Sequence, residues 1–284
     1  MKSEFELAIQ AAVRAGEAIQ EVYGKDDLDI ETKADDSPLT IADKRSNHII
    51  TEALKETGIP ILSEEGKDIP FDERRLWIRF WLVDPLDGTK EFINRNGEFT
   101  VNIALVENEQ PVFGVVFAPV VGELYVGIQG RGAYLCREEK YFTQPLDYLV
   151  QFADSLPLEV QEVETGKDQA KESISTQGKP EDAILLRVVA SRSHYNDETR
   201  SYVESLNSGR KEVSLVNRGS SLKLCMVASG EADIYPRLGP TMEWDTAAAH
   251  AVVRAAGRNV LRVDNGEELR YNKENLLNPY FVVR

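Results

Sequence analysis

Apolar positions along this chain fall first at helical and then at strand-like spacing. Phe5, Ile9, Ala12, Ile19 and Val22 share one helical face, and Gly24 is a plausible stop. Residues 25–39 are polar and acidic and read as a loop, ending in the turn chemistry of Asp35-Asp36-Ser37-Pro38. A second helix is expected over about 41–56, burying Ala42, Ile49, Ala53 and Leu54 before Gly58 and Pro60 end it. Two apolar runs, 59–62 and 77–83, read as strands. The first feeds into Ser63-Glu64-Glu65-Gly66 and the second into Asp84-Pro85-Leu86-Asp87-Gly88-Thr89. Segments 99–106, 111–118 and 122–127 are β-rich and separated by turn signals, which predicts an antiparallel meander. The glycines at 127, 130 and 132 lack a following helix pattern, so they read as a tight turn before the strand Ala133-Tyr134-Leu135 rather than as a dinucleotide loop.

The pattern then changes. Residues 154–182 carry eight acidic and three basic residues, breaks at Gly166, Gly178 and Pro180 among others, and little periodicity. This stretch reads as an exposed crossover loop and a domain boundary. After it, strands are expected at 184–190, 212–216, 232–235 and 259–263, and helices at 197–206, 220–229 and 246–256. That alternation is an α/β layer.

Composition narrows the function. The chain has 284 residues, with 42% hydrophobic and 29% charged, a globular mixture. The balance of 33 Lys+Arg against 48 Asp+Glu leaves −15, which argues against a nucleic-acid polymer as partner and against docking on anionic lipid by charge. It leaves room for a small phosphorylated substrate, because carboxylates that hold Mg²⁺ make an acidic pocket attract phosphate. Cys136 and Cys225 are too few for a disulfide framework or a thiolate zinc site, so a reduced, cytoplasmic setting is the default. No apolar run is long enough to span a membrane, and the N-terminus lacks the pattern of a secretion signal.

The strongest local chemistry is Asp84-Pro85-Leu86-Asp87-Gly88-Thr89. Two carboxylates flanking a rigid Pro can converge on one point, and Gly88 lets backbone N–H groups approach a ligand. A helix starting near Thr89 would add unpaired N–H groups for phosphate. Alone, each string has an ordinary reading. Asp84 to Asp87 could be a capped turn, Glu64-Glu65 a solvated loop, Asp245 an N-cap, and Asp43 an exposed acid in a first helical turn. His48 and His250 sit in helical patterns and read as structural. Cys225 reads as buried and inert.

Taken together, the strings are recognisable. Leu39-Thr40-Ile41-Ala42-Asp43, Ser63-Glu64-Glu65-Gly66, residues 81–89 and Trp244-Asp245-Thr246-Ala247-Ala248 resemble, in this order, the inositol monophosphatase-like superfamily of Mg²⁺-dependent, lithium-sensitive phosphatases. Lys90-Glu91-Phe92-Ile93, residues 189–194, Gly219-Ser220-Ser221-Leu222-Lys223 and residues 235–246 look most like its 3′(2′),5′-bisphosphate nucleotidase branch. The stretch 154–182 is longer and more polar than in compact members.

The resemblance implies a layered α-β-α-β-α sandwich of mixed α+β and α/β class, with the active site between two halves. Residues 1–153 would form an α+β domain with most metal ligands, and 183–284 an α/β domain with nucleotide contacts. It implies Mg²⁺ ligands at Glu64, Asp84, Asp87, Asp245 and the carbonyl of Leu86, holding two ions and in some states a third, with Li⁺ as inhibitor. It implies a catalytic set of Asp43, Thr89 and Glu64, in which Thr89 and Asp43 orient and deprotonate the attacking water. Substrate contacts would fall at Leu86, Asp87, Gly88, Thr89, Ser191, His194, Gly219, Lys223, Arg237 and Asp245. Arg237 suits a second phosphate, which a guanidinium can pair bidentately.

The implied reaction removes the 3′-phosphate of 3′-phosphoadenosine 5′-phosphate, or of its sulfated precursor, in clearance of a by-product of sulfate assimilation. Relatives have been credited with a peripheral position at the inner membrane face, but no basic amphipathic helix here would produce it. An inositol or sugar phosphatase on the same scaffold is the alternative, and Lys90-Glu91-Phe92 with the 219–223 string favours the nucleotide. A catalytically silent nucleotide- or metal-binding protein would lack at least one of Asp43, Asp84, Asp87, Thr89 and Asp245, and all are present.

Overall fold

The computed structural model describes residues 2–25, 28, 30–32, 38–156, 184–190, 196–206 and 211–284. Two N-terminal helices start on reciprocal caps. In α1 (Glu4–Tyr23) the Ser3 hydroxyl accepts the Glu6 N–H while Glu6 accepts the Ser3 N–H. In α2 (Ile41–Lys55) Thr40 and Asp43 do the same. Between them, β1 (Glu31–Thr32) and β2 (Pro38–Leu39) pair antiparallel, so the expected loop carries a short hairpin. Residues 33–37 lie outside the description.

The helices cover one face of a seven-stranded sheet. Its strands are β3 (Ile61–Ser63), β4 (Arg79–Asp87), β5 (Thr100–Glu107), β6 (Gln110–Ala118), β7 (Glu123–Ile128), β8 (Gly132–Cys136) and β9 (Asp154–Ser155), in that spatial order. β3 and β4 are parallel and all other pairs antiparallel, as the meander reading expects. The start of the acidic stretch is therefore the edge strand β9, not loop. Short helices α3 (Phe71–Arg74), α4 (Thr89–Ile93) and α5 (Leu146–Phe152) fill the connections.

The C-terminal segment adds β10 (Ile184–Ala190), α6 (Asp197–Leu206), β11 (Lys211–Asn217), α7 (Leu222–Ala228), β12 (Tyr235–Arg237), α8 (Glu243–Ala255), β13 (Val260–Arg262) and β14 (Phe281–Val283). β10 and β11 are parallel, and β12-β14-β13 form an antiparallel group. A parallel bridge from Val188 to Ile234 joins the two groups into one layer. The strand expected at 232–235 begins only at Tyr235, and α8 begins at Glu243 rather than 246.

α8 lies directly on the second face of the large sheet. A Cβ on Gly114 would stand 2.1 Å from the Ala248 carbonyl oxygen, and one on Gly127 2.5 Å from Val252 Cα. Only glycine allows that approach, and the alanines of α8 complete it. One apolar core fills the space between α1, α2 and the sheet. A second holds side chains of β4 to β8, α7, α8 and the smaller sheet, and a small third lies under α6. Each buried large aliphatic or aromatic side chain in these cores contributes roughly 1.5–3 kcal/mol. The layers run α1/α2, large sheet, α7/α8, small sheet, α6: the α-β-α-β-α order expected. No helix among the described residues is long and apolar enough to cross a membrane.

Candidate active site

Because β3 and β4 run parallel, their C-terminal ends lie side by side, and the Glu64 N–H donates to the Val83 carbonyl at 3.1 Å. β4 does not stop at Val83, where the apolar run ends, but continues to Asp87. Asp84 still pairs with Asn102 and Asp87 with Thr100, with a register shift between them. In a regular strand residues three apart face opposite sides. The bulge at Pro85-Leu86 breaks that alternation, and the charges of Glu64, Asp87 and Asp245 all reach Asp84. The Leu86 N–H caps Asp84 Oδ1 at 3.0 Å, and Ser46 Oγ on α2 donates to the Pro85 carbonyl at 2.6 Å.

Three helix starts point at the same place. At α2, Asp43 is buried, not the exposed acid of its ordinary reading. Its Oδ2 accepts both the N–H and hydroxyl of Thr40, at 2.7 and 2.6 Å. Its Oδ1 lies 3.4 Å from the Thr89 hydroxyl, which also lies 3.4 Å from the Leu86 carbonyl. At α8, Asp245 is not the N-cap but the third residue, and it accepts the Met242 N–H at 2.8 Å. At α7, the Ser221 N–H donates to Asp87 Oδ2 at 2.5 Å, and Lys223 Nζ donates to the Ser220 carbonyl at 2.5 Å.

A cavity of about 290 Å³ opens between these groups. Glu64, Asp87, Gly88, Thr89 and Asp245 line it together with Lys223, Arg237, Tyr235, Ser220 and Ser221. Asp43, Asp84 and Gly219 stand behind the wall. Ser191 and His194 lie outside the described residues. His250 is buried in α8, its Nδ1 2.8 Å from the Tyr271 hydroxyl, and His48 is exposed on α2. Cys225 is buried and its thiol pKa is pushed well up by burial.

The electrostatics are those of crowded anions. Burial, then the charges of Glu64, Asp87 and Asp245, pushes Asp84 well above the usual carboxylate range. Burial and the Asp87 charge push Asp245 up to about 8. Burial raises Asp87 too, opposed by Lys223 and the Ser221 N–H, and raises Asp43 against the hydrogen bonds from Thr40. Lys223 shows the mirror image: burial lowers it to about 8, opposed by the attraction of Asp87. An all-oxygen set of crowded carboxylates is the donor chemistry of a hard divalent cation such as Mg²⁺. Among the described residues, no three His, Cys, Asp or Glu side chains close into a ligand cluster.

Several contributors escaped the sequence reading. Thr100 and Asn102 on β5 approach Asp87 Oδ2 at 3.5 and 3.4 Å, and both approach the Ser221 hydroxyl at 2.9 Å. Polar residues at buried positions of an otherwise apolar strand were the available signal. Tyr235, whose ring lies 5.7 Å from Lys223 Nζ, opens the 235–246 string but was given no role there.

The chain resembles proteins of one family along nearly its whole length. The model of the inositol monophosphatase family matches residues 1–280. The 3′(2′),5′-bisphosphate nucleotidase CysQ of Shigella flexneri is 42% identical over 279 residues, 96% of each chain. That of Salmonella typhimurium is 42% identical over 282 residues, 98% of each. A crystal structure of CysQ from Bacteroides thetaiotaomicron, a bacterial member of the same family, superimposes with TM-score 0.80 at 46% identity, covering 98% of this chain and 95% of that one. A Thermotoga maritima IMPase at 21% identity shares the fold, with TM-score 0.65 over 97% of this chain and 89% of the other.

Proposed function

Since this chain belongs to the inositol monophosphatase family and is a phosphatase of it, we propose that it hydrolyses the 3′-phosphate of 3′-phosphoadenosine 5′-phosphate to give AMP and phosphate, in the cytoplasm. The sulfated precursor is a second substrate on the same reading. The observation that carries it is one cavity lined both by the carboxylates Glu64, Asp87 and Asp245 and by the buried cations Lys223 and Arg237. A monophosphate needs only the carboxylates and what they hold. A substrate with a second anionic group uses the cations as well, and relatives at 42% identity are named bisphosphate nucleotidases.

Glu64, Asp84, Asp87, Asp245 and the Leu86 carbonyl would hold Mg²⁺, two ions in the working state and a third in some. Bound Mg²⁺ neutralises phosphoryl charge and lowers the pKa of a water. The chain's own groups do the rest. Thr89 passes the proton of the attacking water to Asp43, whose raised pKa makes it the stronger base. Glu64 completes that set from the cavity wall. The N–H groups of Gly88 and Thr89, at the start of α4, hold phosphate oxygens. Lys223 and Arg237 hold the second phosphate, Arg237 with the bidentate geometry of its guanidinium. Gly219 shapes this side from behind, with Ser191 and His194 assigned to it from the sequence. Attack is in line, without a phosphoenzyme.

Phosphate release tests the proposal. 3′-Phosphoadenosine 5′-phosphate, inositol 1-phosphate and fructose 1,6-bisphosphate are compared with Mg²⁺, with EDTA, and with added Li⁺. The expected outcome is Mg²⁺-dependent, Li⁺-inhibited preference for the nucleotide. Preference for inositol 1-phosphate would keep the carboxylate chemistry and discard the roles of Lys223 and Arg237, and preference for fructose 1,6-bisphosphate would keep both and discard the nucleotide.

A further inference from the structure

We infer that Glu98 is a positioning residue: it latches the loop between β11 and α7, and so sets Asp87 and Lys223 in their working relation. The inference rests on the reading of the site given above. Glu98 lies between α4 and β5, is 7% exposed, and belongs to none of the motifs singled out in the sequence. Its Oε2 accepts the buried Gly219 N–H at 2.9 Å, and its Oε1 pairs with Arg218 at 3.3 Å. Gly219 is held so closely that a Cβ there would lie 2.7 Å from the Glu98 carbonyl oxygen and 2.9 Å from Glu91 Cγ.

The next residue shows what the latch does. Ser220 takes a left-handed φ of 48°, a conformation that side chains avoid unless their surroundings impose it. That turn aims two groups in two directions. The Ser221 N–H reaches Asp87, and the Ser220 carbonyl reaches Lys223. Thr100, two residues after Glu98, grips the same loop through both serine hydroxyls, at 2.8 and 2.9 Å. One short segment, 98–100, therefore fixes a loop that touches both Asp87 and Lys223. A carboxylate that only stabilised the fold would not be expected to change the acid and the cation together.

The test separates these roles. Wild type, Glu98→Ala and Glu98→Gln are compared by calorimetric Mg²⁺ titration without substrate, and by KM and kcat for 3′-phosphoadenosine 5′-phosphate. Removing an outer partner of a ligand typically costs about 10–100-fold in metal affinity or activity. Glu98 acts one step behind the Ser221 N–H that holds Asp87, so Glu98→Ala should weaken Mg²⁺ binding and raise KM together, each severalfold and up to about tenfold. Glu98→Gln keeps an acceptor for the Gly219 N–H and should recover most of both. Gly219→Ala pushes the same loop from the other side and should show the same paired change, which carries the test if Glu98→Ala does not fold. A folded Glu98→Ala or Gly219→Ala protein that loses thermal stability alone, or changes only one of the two constants, overturns the inference. A wild-type protein that binds no Mg²⁺ or leaves the nucleotide intact instead sinks the reading of the site, and the latch with it.

Discussion

Replacing Asp87 with Asn removes a charge but keeps an oxygen for the Ser221 N–H. The fold should survive, while turnover should fall by more than the roughly 10–100-fold that outer partners of a metal ligand cost. Circular dichroism and phosphate release check this pair, and an active, folded Asp87→Asn protein would remove Asp87 from the ligand set. Lys223 is proposed to act in binding, so Lys223→Ala should raise KM more than it lowers kcat. Its pKa near 8 sets a direction. The side chain is cationic below that pH and neutral above it, so in wild type KM for the nucleotide should climb as pH rises through about 8. Lys223→Ala should flatten that rise. At this scale the acids were legible, because Asp84 and Asp87 are close in sequence and their chemistry lies in the residue type. Thr100 and Asn102 gave only a weaker signal, polar residues in an otherwise apolar strand, because residue type alone does not say whether such a side chain faces water or a carboxylate.

At the scale of elements, α8 carries Asp245 and depends on two glycines in strands β6 and β7. Gly114→Ala would place a Cβ 2.1 Å from the Ala248 carbonyl oxygen, so helix or strand must shift. Overpacking of this kind typically costs about 1–3 kcal/mol, read as a lower urea midpoint. The shift should lower activity as well, because the helix delivers Asp245. Gly122, in the turn before β7, has open space where a Cβ would be and serves as the control for general effects of replacing glycine, although its positive φ adds strain of its own. Alternation and turn residues foretold the strands, but not why two of their positions must be glycine. The same reason explains the end of β4. Pro85 argues locally for a stop, yet Asn102 and Thr100 on β5 keep pairing on either side of the bulge. Local preference gave way to a neighbour distant in sequence.

For the whole molecule, the crowded carboxylates link stability to pH and cation. Asp245 has a folded pKa of about 8, against an ordinary value of 3.8. Between these values the folded protein binds more protons than the unfolded one, so this group's contribution to stability fades as pH rises. Over about pH 6 to 8, above the range of ordinary carboxylates, EDTA-treated protein should therefore lose Tm as pH rises. Mg²⁺ should restore it, more strongly at the upper end, because binding the ion displaces the proton. Thermal melts in EDTA and in Mg²⁺ check this, and Asp245→Asn should remove most of the difference. The sequence by itself determined the helices and strands that follow from period and turn chemistry, and the family, through four strings in a recognisable order. Tertiary structure alone decided that α8 lies on the sheet, that a bulge lets Asp84 sense the charge of Asp87, and that Glu98 holds a loop 120 residues away. Periodicity and residue type are local properties of the chain. Which buried polar group meets which is settled only by packing, where distant segments must satisfy one another's hydrogen bonds out of reach of water.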